Sequence, residues 1–235
     1  MKILALGLLL VNTLFAMEYY SKVEPIHSYS IKAAVSGKVI YVNDSLEGKQ
    51  ASNNTVVQLD SNLNETELKQ TQDKLHSINT IINLEEKNYQ RLKKLTSKSG
   101  YEKDNQKIKV INLQTQRSDL LIRIATLKDM IDNKKLTEEK NYIYNIAVKK
   151  GDYVNPGTLL YEAQDLSQGK VEVFIPIADA NTIESKTIFI DGKKSDLKID
   201  KLYKVADAKH ISSYKCEIII PQISNFSRLV KIEFK

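Results

Sequence analysis

Catalysis needs acids, bases, nucleophiles or metal ligands gathered at one place, and this chain scatters them. Its histidines, His27, His76 and His210, fall far apart and in different predicted elements. That spacing offers no ligand set for a metal, so ordinary structural or solvated imidazoles are expected. The carboxylate pairs Glu85-Glu86 and Glu138-Glu139 lie on or beside helical stretches. Adjacent residues on a helix do not share a face, so these read as solvated charges and not as an acid–base couple. Cys216 opens the strand-like run Cys216-Glu-Ile-Ile-Ile220 and is the single cysteine. It reads as a small buried hydrophobe and can form no disulfide within the chain. No phosphate-binding glycine loop, G-x-S-x-G elbow or Cys-His signature is present. With no convergent chemistry, the expectation is a protein that is not an enzyme and takes no cofactor.

The remaining route to function is shape, and bulk properties narrow it. At 235 residues there is room for one or two ordinary domains. The net charge of +6 is spread along the chain, in pairs such as Lys93-Lys94 and Lys134-Lys135. A nucleic-acid footprint would require clustering, so no nucleic-acid partner is expected. Met1-Lys2 is a short positive start, followed by an apolar run from Ile3 to Phe15 and a small residue, Ala16. The run is too short for a hydrocarbon core of ~30 Å, and residues 1–16 read as a secretory signal peptide. The mature protein is then expected outside the cytoplasm.

A split repeat carries the most information. Val35-Ser-Gly-Lys-Val-Ile-Tyr-Val-Asn-Asp-Ser-Leu-Glu-Gly48 runs on to Val56-Val-Gln-Leu-Asp60. Tyr142-Ile-Tyr-Asn-Ile-Ala-Val-Lys-Lys-Gly151 runs on through Gly157 to Leu160. A shift of 103 positions sets Gly48 on Gly151, Ala51 on Val154, Asn54 on Gly157 and Val56-Val57 on Leu159-Leu160. Internal repeats reveal architecture. This one predicts that the chain leaves a β-fold, makes a long excursion and returns to complete the same fold.

The excursion, residues 63–137, reads as two helices. Leu68, Leu75, Ile82 and Tyr89 recur every seven residues, with Thr71, Ile78 and Leu92 between them and Glu85 as a polar exception. Val110, Leu113, Leu120, Ile124, Leu127 and Ile131 keep the same 3-4 rhythm, interrupted by Arg117. Such narrow stripes are coiled-coil seams. The arms meet at Thr96-Ser-Lys-Ser-Gly100, where Ser99 and Glu102 form a capping-box signature for a new helix start. A connection this short makes the arms antiparallel neighbours. Two helices alone leave Ile81, Leu95, Ile108 and Ile122 partly uncovered, and such surface usually awaits a partner.

The flanking segments read as β. Residues 33–62 and 138–166 are the two halves of the repeat, and 167–235 carries short strands separated by turns, as in a small barrel. Lys170-Val-Glu-Val-Phe-Ile175 alternates polar and apolar, and Pro176 ends it. Residues 17–32 are expected to add a first barrel strand.

Taken together, these residues resemble a periplasmic adaptor, or membrane fusion protein, of the HlyD/AcrA-like superfamily. The resemblance rests on the lipoyl-like halves Gly37-Lys-Val…Glu47-Gly48 and Lys150-Gly-Asp-Tyr-Val-Asn-Pro-Gly157, on the hairpin between them, and on Val171-Glu-Val-Phe-Ile-Pro176. It implies an elongated α+β protein: a split lipoyl-like β-sandwich with an inserted antiparallel two-helix coiled-coil hairpin, plus a small β-barrel. It also implies a ring, commonly of six, around an inner-membrane transporter of the RND or ABC type. In that arrangement the hairpins reach a TolC-type outer-membrane channel. Many members carry Arg-x3-Leu-x6-Ser at the hairpin tip. Here Arg91 and Leu95 match, Glu102 stands at the Ser position, and Ser99 lies nearby. A modified lysine of true lipoyl domains would need an exposed tip where the helices are inserted here, so a carrier role is not expected. The competing expectation is a cell-envelope coiled-coil scaffold or binding module that works without a transporter.

Overall fold

The computed structural model of the chain describes residues 17–235, so the signal-peptide reading of residues 1–16 lies outside the described residues. The chain runs β1 (Met17–Lys22), β2 (Glu24–Lys32), β3 (Gly37–Val42), a 3-10 turn (Asp44–Leu46), β4 (Asn54–Leu59), α1 (Asn62–Lys94) and α2 (Gly100–Asp132). It continues with β5 (Lys135–Glu138), β6 (Tyr142–Ile146), β7 (Tyr153–Val154), β8 (Leu159–Pro176) and α3 (Ala180–Ile183). It closes with β9 (Ile188–Ile190), β10 (Lys193–Lys194), β11 (Ile199–Leu202), β12 (Ser213–Pro221) and β13 (Leu229–Phe234). Two compact units result. One holds Ser30–Ala163; the other holds the described residues up to Tyr29 together with Gln164–Lys235.

In the first unit the two halves of the repeat share one core. Ala33, Val39, Leu46, Ala51, Val56, Val57 and Leu59 pack with Ile143, Val148, Val154, Leu160, Tyr161 and Ala163. The turn glycines tie the halves to each other: Gly48 N–H donates to the Ile143 carbonyl and Gly151 N–H to the Val39 carbonyl, both at 2.9 Å. Each half thus bonds through its own turn to the opening strand of the other, as the 103-residue repeat predicts. Gly48, Gly151 and Gly157 all have positive φ, where a Cβ is unfavourable. The repeat aligns Asn54 with Gly157, but it is Asn53 that takes the left-handed conformation, at φ 55°, while Asn54 begins β4. Asn tolerates that region better than most side chains, so the turn survives without glycine.

The hairpin is set by its root. β4 enters it, β5 leaves it, and the two pair antiparallel from Asn54↔Glu138 to Gln58↔Lys135. That pairing fixes the start of α1 beside the end of α2. Lys134 Nζ adds a clamp, donating to the Asp60 carbonyl at 2.7 Å and to Asn64 Oδ1 at 2.6 Å. Residues 135–137, expected within the hairpin, are therefore sheet: Leu136 pairs with the buried Val57 and packs against the sandwich core.

Each helix is 33 residues long, or about 50 Å at ~1.5 Å per residue. Along α1 the inward positions are Leu68, Thr71, Leu75, Ile78, Ile82, Glu85, Tyr89 and Leu92, all buried or half-buried. On α2, Val110, Ile124 and Leu127 are buried, and Leu113, Leu120 and Ile131 are half-buried. The seam read from periodicity is the seam that forms.

The second unit has two sheets, in strand orders β1-β13-β9-β10 and β11-β12-β8-β2. Val171, Val173 and Ile175 of β8 alternate with the half-buried Lys170, Glu172 and Phe174 and face a core that includes Cys216, Ile218, Ile232 and Phe234. Cys216 is fully buried, and burial pushes its thiol up to about 12. The segment 17–32, expected as one strand, is two. Val23 interrupts them by donating to the Arg228 carbonyl and accepting from Ser227 N–H, which carries β1 to β13 and β2 to β8. β8 runs unbroken from Leu159 to Pro176, past the boundary expected at residue 166, although its buried positions lapse over residues 164–168 and alternate regularly again only from Gly169.

Candidate docking surface on the helical hairpin

Ser99 opens α2 as its N-cap. Its Oγ accepts from Glu102 N–H at 3.2 Å, and Glu102 Oε2 accepts from Ser99 N–H at 3.1 Å, completing the capping box. Glu102 also pairs with Lys98 at 2.8 Å. Lys98 first, and then the Ser99 backbone, hold the Glu102 carboxyl below its ordinary value. The structure thus brings Ser99 and Glu102 together and commits both to starting the helix.

Arg91 and Leu95 are placed differently. Leu95 ends α1 in an extended conformation, with its N–H bonded to the Leu92 carbonyl, and its side chain is 46% exposed. Arg91 is exposed in the last turn, and its guanidinium makes no hydrogen bond or ion pair among the described residues. The spacing places both on one stripe with Ile81 and Leu84, beside the inward seam. Ile81 and Leu84 are exposed apolar residues at mid-helix on that stripe, separated from Leu95 by Asn88 and Arg91. On α2, Ile108, Ile111 and Ile122 are exposed at a matching helical spacing, and Tyr101 is 76% exposed. Leu84, Ile111 and Tyr101 lie outside the two seams. Their signal is a second 3-4 rhythm, offset from the first.

Toward the tip, Glu85 makes a polar station in the seam. Gln106 Nε2 donates to Glu85 Oε2 and Lys109 Nζ to Glu85 Oε1, each at 2.7 Å. The Lys109 bond, then Gln106, hold the Glu85 carboxyl below its ordinary value. Nearer the root, Arg123 pairs with Glu67 and Asn64 meets Met130. Polar pairs of this kind in an apolar seam specify register more than they add stability.

The histidines do not converge. His210 Nδ1 lies 3.0 Å from Asp207 Oδ1 and its ring stacks on Phe174, His27 leans on Tyr29, and His76 is on α1. No group of three His, Cys, Asp or Glu among the described residues could hold a metal ion. No described helix is long and apolar enough to cross a membrane.

No family model matches the chain, and no curated protein matches its sequence. Solved structures do match its fold. The membrane fusion protein Spr0693 from Streptococcus pneumoniae R6 superposes with a TM-score of 0.71 at 11% identity, covering 93% of this chain and 98% of its own. MacA from Actinobacillus actinomycetemcomitans gives 0.67 at 19%, covering 94% and 78%. A MacA-MexA chimera containing the Pseudomonas aeruginosa MexA alpha-hairpin domain gives 0.66 at 16%, covering 94% and 80%. At these identities the likeness is one of fold. The fold is that of the membrane fusion proteins, a split sandwich with an inserted helical hairpin and a barrel-like unit.

Proposed function

We propose that this chain is an adaptor subunit of a tripartite efflux or secretion system. It bridges an inner-membrane transporter, of the RND or ABC type, to a TolC-type outer-membrane channel, with the hairpin as the bridging element. The protein works in the periplasm, reaches it through the signal peptide at residues 1–16, and associates into a ring of six. Its task is assembly, without catalysis. The observation that carries this reading is the closed core of residues 33–59 with 143–163, from which a paired rod of about 50 Å departs. A rod zipped at its root and exposing apolar stripes is built to be met along its length. In this reading Arg91 and Leu95 make the tip contact, and Ser99 and Glu102 hold the tip in shape.

A photoreactive residue placed at Arg91 tests it. The expected product in cells is a crosslink to an outer-membrane channel, together with co-purification of a transporter. Export that persists after deletion of residues 63–134 would refute the bridging role. The second reading is an envelope scaffold that acts without a transporter. The exposed stripes serve it equally well, and it predicts crosslinks to one envelope protein and no transporter in the complex.

A further inference from the structure

Part of each sheet of the second unit carries crossed charges, some of them buried. Lys170, Glu172, Lys215 and Glu217 interlock on one sheet, and Glu18, Lys231 and Glu233 on another. The outer face of β3, β4 and β5 departs from that pattern. Tyr41 pairs across the strands with Gln58, and Gln58 with Lys135, so the three form one row. Asn43, Asn53 and Asn54 close an open depression around the row. The Tyr41 ring is 43% exposed. Asn43 Oδ1 accepts from Ser45 Oγ and Asn54 Oδ1 from Ser52 N–H, both at 2.7 Å, which leaves both NH2 groups directed elsewhere. The amides of Asn53 and Gln58 and the Tyr41 hydroxyl have no partner among the described residues. Asn53 is also the one described non-glycine residue of its unit with positive φ. Glycine would serve that backbone equally well but would supply no amide.

We infer that this face is a binding site for a neutral oligosaccharide. A pyranose presents an apolar C–H face, which stacks on an exposed aromatic ring, and an edge of hydroxyl or acetamido groups. Carboxamides match that edge because each offers two N–H donors and a carbonyl acceptor. Lys135 is the single formal charge in the depression, which disfavours a polyanion and tolerates an uncharged sugar. Apart from the Tyr41 ring the lining is polar, with Asn43, Asn53, Asn54, Thr55, Gln58 and Lys135, so an occupant would be held mainly by hydrogen bonds around one stacking platform. The inference is independent of the export reading, since it concerns one face of the sandwich.

The experiment is titration of the full chain with chitotetraose, cellotetraose and maltotetraose in separate arms, followed by backbone-amide NMR. Saturable shifts confined to β3, β4, β5 and the Asn53 turn are expected in at least one arm. The responding arm separates acetamido from hydroxyl recognition and β- from α-linkage. Tyr41→Phe should retain binding, and Tyr41→Ala should weaken it by about tenfold or more. Asn53→Gly keeps the backbone conformation and should weaken binding with the melting temperature unchanged, so a folding defect in Tyr41→Ala leaves the test intact. Absence of saturable shifts in all three arms at millimolar sugar overturns the inference. So do shifts that map elsewhere, or variants that bind as the parent does. Shifts at this face that follow protein concentration and not sugar would assign it to a second copy of the chain, and would overturn it as well.

Discussion

Ile122 and Ile124 stand two positions apart on α2 and separate what folds the hairpin from what it offers outward. Ile124 is 8% exposed and Ile122 is 67% exposed. Truncation to alanine removes three carbons from each, worth ~0.8 kcal/mol per buried carbon. For Ile124 nearly all of that is lost and a cavity is left, so the expected destabilisation is about 2–4 kcal/mol. For Ile122 only the covered third counts, and the better helix propensity of alanine returns about 0.4 kcal/mol, so the net change stays below ~0.5 kcal/mol. Urea unfolding of purified protein, with helical circular dichroism as the signal, reads both. The midpoint should fall clearly for Ile124→Ala and stay nearly fixed for Ile122→Ala. Capture of an envelope partner should behave in the opposite way, impaired by Ile122→Ala and preserved by Ile124→Ala wherever the protein remains folded. Equal destabilisation by the two substitutions would mean that the outer stripe is already covered in the free protein, and the separation argued from the seam would fail.

Three further outcomes follow from single contacts. A Cβ on Gly169 would come within 2.9 Å of Val23 Cγ1 and of Ile223 Cδ1, so Gly169→Ala should cost about 1–3 kcal/mol, read as a lowered unfolding midpoint. The Glu85 carboxyl titrates below its ordinary 4.5 in the folded chain, so the stability it lends is complete above that pH and disappears as pH falls through the depressed value. Glu85→Gln should therefore flatten the acid limb of stability against pH relative to the parent, and identical limbs would count against the Lys109 and Gln106 contacts. The Cys216 thiol, buried and raised to about 12, should resist a maleimide in the native state and react on unfolding. Fast native labelling would show that the strand opens.

The fold was legible wherever one local rule governed. The 3-4 spacing of Leu68 to Leu92 and of Val110 to Ile131 marked the inward face of each helix, because a single partner helix decides what is buried there. Ser99 and Glu102 announced the start of α2 through reciprocal bonds made within four residues. Legibility failed where a distant partner decides. Leu136 becomes strand because Val57 lies opposite it, and Val23 breaks a strand because Ser227 and Arg228 bond to it. The depression around Tyr41 was invisible for the same reason: cross-strand register brings it together with Gln58 and Lys135, and no motif spaces them along the chain.

At the tip, Glu102 stands where the Arg-x3-Leu-x6-Ser pattern has Ser, and both Glu102 and the nearby Ser99 are engaged in the capping box. Here the acid at that position binds the Ser99 backbone, and Ser99 Oγ accepts from Glu102 N–H while lying 3.2 Å from Glu102 Oε2. Recruiting either group for docking would release helix N–H donors, and losing an N-cap alone costs about 1 kcal/mol. Arg91 and Leu95 carry no such commitment, since one lacks a side-chain partner among the described residues and the other is 46% exposed at a helix end. We therefore propose that recognition at this tip, if a partner docks there, falls to the end of α1 with Ile81 and Leu84 behind it, while the capping box holds the turn. On that division, Ser99→Ala should loosen the tip and weaken partner capture modestly, while Arg91→Glu should abolish capture with helix content unchanged. A larger loss of capture from Ser99→Ala than from Arg91→Glu would return the docking role to the serine.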